Sequence, residues 1–112
     1  MADAVTTIGS LKEAVRSFAV ERRWEPYHDP KNLSMALAAE VAELLEHFLW
    51  LTGEESRQAC SDPAKRDLIA DELADVIYVA CQFSLASGID ISDAFAAKMA
   101  KNAVKYPVGR EQ

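Results

Sequence analysis

Two pairs of acids sit where acids are costly. Glu40-Val41-Ala42-Glu43 and Glu72-Leu73-Ala74-Asp75 each place two carboxylates three residues apart. On a helix that spacing puts both on one face. Their neighbours are core-type residues: Leu37, Val41 and Leu44 around the first pair, Leu68, Leu73 and Val76 around the second. An ionised carboxylate buried without a partner is strongly disfavoured, so something positive should compensate, either Lys/Arg or a metal ion. A single pair of this kind reads as a solvated stripe. Two pairs on consecutive apolar helices able to pack antiparallel read as one converging all-oxygen site. Such a site suits hard cations, Mg²⁺ or Mn²⁺, which bind through carboxylates plus substrate phosphates. Held that way, a cation can polarise phosphorus and position a water for in-line attack.

Four helices are expected to carry these groups, with no strand. Ser10-Leu11-Lys12-Glu13 reads as a capping box that opens the first helix, which should end near Arg23. Leu11, Ala14, Val15, Phe18 and Ala19 give it an apolar stripe. Trp24 to Pro30 reads as a loop punctuated by two prolines. Asp29-Pro30 then caps a second helix running to about Leu51, apolar on most of its circumference and hence expected at the centre. Thr52 to Ser61 reads as a polar linker with Gly53 as a C-cap. Asp62-Pro63 starts a third helix that Gly88 ends after Ser87, and Asp90 caps a fourth, with Pro107 beyond it. The expected fold is all-α, a four-helix bundle-like single domain over residues 1–112 with its core at about 10–107.

The counts exclude other classes. The chain has 112 residues with 12 Lys+Arg against 18 Asp+Glu, a net charge of −6, and half its residues are hydrophobic. That argues against wholesale disorder and against a general nucleic-acid binder. Cys60, Cys81, His28 and His47 have no zinc spacing. Cys81 lies in an apolar run and reads as a buried free thiol, which fits a reducing cytoplasm. The N-terminus has no basic region followed by an apolar stretch, so no secretory signal is expected. No uncharged apolar run is long enough to span a membrane.

The ordered motifs resemble the all-α nucleoside triphosphate pyrophosphohydrolases, the MazG-like proteins, and within them the dCTP pyrophosphatase branch. The matching stretches begin with Phe18-Ala19-Val20-Glu21-Arg22-Arg23-Trp24 and Asp29-Pro30-Lys31-Asn32-Leu33. They continue through the two acid pairs and Phe48-Leu49-Trp50, then end with Lys98-Met99-Ala100-Lys101-Asn102 and Tyr106-Pro107. The resemblance implies cleavage between the α and β phosphates, with Glu40, Glu43, Glu72 and Asp75 holding Mg²⁺. It implies that Lys98, Asn102 and Tyr106 reach triphosphate or sugar, and that Trp24 and Trp50 line the base pocket. The spacing of Lys98, Asn102 and Tyr106 independently puts them on one helix face. Glu43 or Glu46 is the candidate base for the attacking water. Two positions depart from the branch: Val15 stands where it has His, and Val79 where it has Tyr. The resemblance therefore does not carry a base or sugar preference.

The apolar surface left by so thin a bundle leads to the expectation of a homodimer or homotetramer, with the two acid-bearing helices at the interface. The substrate would be a small nucleotide, of deoxycytidine type or modified, and neither nucleic acid nor membrane is expected as a partner. Two rivals predict different things. A di-iron carboxylate bundle needs Glu-x-x-His pairs on two helices; the chain has one such spacing, Glu25-Pro26-Tyr27-His28, in the proline loop, and none at His47. A non-enzymatic helical interaction module would carry its acids on a solvated face and gain nothing from metal.

Overall fold

The computed structural model describes residues 1–109. It is all-helical there: α1 (Ile8–Glu21), α2 (Pro30–Glu46), α3 (Gly53–Ser61), α4 (Pro63–Ser87) and α5 (Ile91–Lys105), with a short 3₁₀ turn at Glu25–Tyr27. No helix among the described residues is long and apolar enough to cross a membrane.

Local side-chain chemistry sets most of the boundaries. Asp29, Asp62 and Asp90 each cap a helix by accepting from the backbone N–H three residues on. Gly88 ends α4 in the left-handed region at φ 73°, where a Cβ would be strained. The buried Ser84 hydroxyl donates to the carbonyl of Ile89 and ties this turn to the end of α4.

Three sequence expectations are corrected. The first cap is Thr7, not Ser10. Thr7 Oγ1 accepts from Ser10 N–H, while the Ser10 hydroxyl donates back to the Thr7 carbonyl, so the helix opens almost a turn earlier. The second helix stops at Glu46 rather than near Leu51. Its last bonds tighten to three-residue spacing (His47 N–H to Leu44, Phe48 N–H to Leu45), and the chain unwinds. Residues 53–61 form α3 instead of a linker. Thr52 and Glu55 make a reciprocal capping box, and Gly53 is the first residue of that helix, not a C-cap.

The centre belongs to α4, not to α2. The α4 helix packs against α1, α2 and α3, most extensively against α2, whereas α5 takes no comparable part. The buried apolar residues are few and small: Val15 and Ala19 on α1, Leu33 on α2, Ala59 on α3, Val79 and Cys81 on α4. Both cysteines are free, and Cys81 is buried as expected. Large apolar residues remain in the open on α2 (Val41, Leu45), α4 (Leu73, Ile77) and α5 (Phe95, Met99). The apolar circumference of α2 is thus only partly covered within one chain.

Candidate functional site

The α2–α4 pair brings the acids together. Carboxylate oxygens of Glu40, Glu43 and Glu72 all lie within 4.8 Å of one another. Glu40 and Glu72 are half-buried and Glu43 is exposed. One oxygen of each half-buried acid, Oε2 of Glu40 and Oε2 of Glu72, is shut off from water and has no hydrogen-bond partner. Burial comes first among the causes that raise the Glu40 pKa above its ordinary value, followed by the charge and hydrogen bonding of Glu43 and the charges of Asp75 and Glu72. Burial likewise leads in raising Glu72, helped by hydrogen bonding to Glu43 and by the charges of Glu43 and Asp75, and opposed by His47. Asp75 stands outside the three-acid group, but its charge is felt by both half-buried glutamates.

Among the described residues no arginine or lysine forms an ion pair with this cluster. The Arg ion pairs among the described residues are Arg16–Glu13, Arg22–Glu21 and Arg57–Glu54, all elsewhere. Among the described residues the cluster's one ion-pair partner is His47, whose Nε2 is 3.8 Å from Glu72 Oε1. Three carboxylates crowded together, two with an orphaned oxygen, are what a hard divalent cation would relieve. The donor set of these three is all oxygen.

Beside the acids lies an aromatic group. Phe18 meets Trp24 edge-on at 5.7 Å and Tyr78 at 6.1 Å. The Arg22 guanidinium sits 3.5 Å from the Phe18 ring centroid and 5.9 Å from that of Trp24. The end of α1 explains this arrangement. Trp24 N–H bonds to the Ala19 carbonyl and Arg23 N–H to that of Val20, with Arg23 left-handed at φ 56°. That Schellman-type turn folds Trp24 back onto α1. Tyr78 joins the two groups: burial raises its phenol pKa, Arg22 opposes this, and Asp75 adds to it.

The other sequence candidates are not gathered here. Glu46 ends α2, exposed and outside the three-acid group. Trp50 is 89% exposed in the turn after α2. Lys98 and Asn102 ride on α5, which has no buried residue, and Tyr106 is the C-cap that follows it. Two residues that the sequence candidates do not include are Tyr78 and Gln82. The signal for Gln82 was available, since it is the one amide in the run Tyr78-Val79-Ala80-Cys81-Gln82-Phe83.

A family model described as MazG-like matches residues 35–112. The chain belongs to the MazG-like family. That match spans both acid pairs and α5. The chain is 34% identical over 102 residues to a dCTP pyrophosphatase 1 of Bos taurus, covering 91% of this chain and 60% of the relative. It is 37% identical over 102 residues to the dCTP pyrophosphatase 1 of Homo sapiens, covering 90% and 59%. It thus spans about 60% of the length of those relatives. Among solved structures, a pyrophosphatase from Archaeoglobus fulgidus superposes with a TM-score of 0.84 at 31% identity, covering 96% of this chain and 98% of that one. The MazG-like fold, all-helical with no strand among the described residues, agrees with the all-α expectation.

Proposed function

We propose that this chain is a Mg²⁺-dependent nucleoside triphosphate pyrophosphohydrolase, acting on dCTP or modified nucleotides to give a monophosphate and pyrophosphate. The observation that carries the reading is the Glu40–Glu43–Glu72 cluster with its two orphaned oxygens. Kinship to pyrophosphatases over nearly the whole chain supports it.

Glu40, Glu43, Glu72 and Asp75 would hold the cation. Bound there, Mg²⁺ (or Mn²⁺) supplies charge neutralisation for the phosphates and polarisation at phosphorus. Glu43, the exposed member of the cluster, is placed to accept a proton from the attacking water, with Glu46 one turn on as the other candidate. The water oxygen bonds to phosphorus, the α–β bridge breaks, and pyrophosphate leaves. Trp24 and Trp50 would bracket the base, while Lys98, Asn102 and Tyr106 would contact phosphate or sugar. Those last three need α5 brought to a cluster that it does not cover within one chain. A homodimer or homotetramer, closing over the open apolar residues of α2, α4 and α5, would do so. The reading takes residues 1–112 as one domain, of which 110–112 lie outside the described residues. It places the enzyme in the cytoplasm, with neither nucleic acid nor membrane as partner.

The test is purified protein with Mg²⁺ and a nucleotide panel, followed by product analysis. Monophosphate plus pyrophosphate supports the reading. No product from any nucleotide, together with no thermal shift on adding metal, supports an interaction module.

A further inference from the structure

The structure holds a second chemical feature, some way from the acids. A cleft of about 280 Å³ lies between α1, the 3₁₀ turn and the C-terminal half of α4. Its walls are mainly apolar (Val15, Ala19, Leu85, Ala86), with Arg16, Glu25 and His28 as its other polar lining. Gln82 is part of that lining, and its side chain belongs to a residue only 7% exposed. The side-chain hydrogen bonds of this stretch of α4 are those of Ser84 and Ser87, and none among the described residues reaches the Gln82 amide. The Gln82 amide is not among the side-chain atoms closed to water, so within a residue otherwise covered it opens onto the cleft. Facing a small apolar cleft, it is the kind of group that orients a ligand.

The register of α4 links this cleft to the acids. Asp75, Val79 and Gln82 follow i, i+4, i+7 and share one face. Seven residues of helix put Gln82 about 10 Å from Asp75 along the axis. That is close to the distance from the phosphates to the far edge of the base in an extended nucleotide. The cleft is near the small end of ligand sites, about 300 Å³ and upward, and so suits a single flat ring system. An amide offers one donor and one acceptor side by side, the complement of a neutral base edge rather than of an anion.

We propose that Gln82 reads the base edge of the nucleotide, its amide pairing with the donor–acceptor edge of a base seated between Val15, Ala19 and Leu85, a cleft that neither Trp24 nor Trp50 lines and that would take the place of the tryptophan bracket. For its substrate class this rests on the pyrophosphohydrolase reading above. Gln82 is a specificity-determining residue, distant from the reacting phosphorus. Removing it therefore weakens binding and selectivity and leaves the chemical step alone.

Two measurements on the full chain test it. In the first, kcat and KM are compared across the four common deoxynucleoside triphosphates for wild type, Gln82→Leu and Gln82→Met, the apolar variants being suited to a buried site. Wild type should favour one base, and both variants should lose about tenfold of that preference through KM, with kcat within twofold. A wild type without preference, or variants that keep it, would overturn the proposal. In the second, the Gln82 side-chain amide resonance, assigned by its absence in Gln82→Leu, is followed on adding deoxynucleoside monophosphates. It should shift. An unmoved resonance in a protein that hydrolyses nucleotides refutes the Gln82 assignment and leaves the hydrolase reading intact. A resonance that shifts in a protein without turnover does the reverse.

Discussion

Glu40 of α2 and Glu72 of α4 meet across the central helix pair, each with one carboxylate oxygen closed to water and unpaired. Neither has an arginine or lysine partner among the described residues. Burying two such carboxylates works against folding, and a cation bound between them would relieve it. The account of this chain rests on it.

Both glutamates have raised pKa values, with burial as the leading cause. A carboxyl whose pKa is higher folded than unfolded binds more protons in the native state. Its contribution to stability is therefore largest at low pH and is lost as pH rises through the folded pKa. Between the ordinary carboxylate range and neutrality, the metal-free protein should lose stability from these two groups. Neutralising one of them, as in Glu72→Gln, should then raise the metal-free Tm at pH 7 and flatten its pH dependence. Thermal melts in chelator from pH 4 to 7.5 check this. A lower Tm for Glu72→Gln at pH 7 would count against a strained carboxylate pair.

Metal should reverse that strain. With Mg²⁺ at a hundredfold excess over its Kd, mass action raises stability by about 2.7 kcal/mol. Melts with and without millimolar Mg²⁺ should separate by several degrees for wild type, and by almost nothing for Glu40→Gln or Glu72→Gln. An equal shift in wild type and both variants would place the metal elsewhere.

Arg23 adopts φ 56° at the C-terminal end of α1. The left-handed conformation costs a residue with a Cβ roughly 1–2 kcal/mol, while glycine costs about 0.5–1 kcal/mol in extra unfolded-state freedom. The first term wins, so Arg23→Gly should stabilise the protein by up to about 1 kcal/mol with turnover unchanged. Denaturant unfolding is the check. A clear loss of stability would mean that the Arg23 side chain holds this turn.

Leu73 and Ile77 stand one turn apart on α4 and remain 53% and 45% exposed. Covering the exposed half of such a side chain stabilises an assembly by roughly 1 kcal/mol. Ile77→Asp should therefore shift the protein to monomer in sedimentation, with helix content kept. Unaltered sedimentation would count against α4 as part of the proposed interface.

Much of this was legible residue by residue. Asp29-Pro30, Asp62-Pro63, Gly88 and Asp90 mark helix ends because capping is a matter of one side chain and its nearest amides. The acid pairs were legible because two polar residues recur on one face of an apolar helix. The α3 helix was hidden because nine mostly polar residues carry almost no periodic signal, and the Thr52–Glu55 box that holds it was outweighed by composition. Ser10 was mistaken for Thr7 because both hydroxyls precede the same apolar stripe, and only the hydrogen-bond direction separates them. The centrality of α4 could not be read from α2, whose wider apolar girth is left partly uncovered within one chain. Gln82 was lost in an apolar run because its meaning depends on the cleft that α1 and the 3₁₀ turn build over it.

Product analysis after incubating the full chain with Mg²⁺ and a panel of nucleoside triphosphates tests the central claim most directly, with Glu43→Ala run in parallel. The account predicts a nucleoside monophosphate and pyrophosphate in equal amounts from wild type, at least a hundredfold less from the folded variant, and none in chelator. Diphosphate with orthophosphate in their place, or equal turnover by Glu43→Ala, would contradict it.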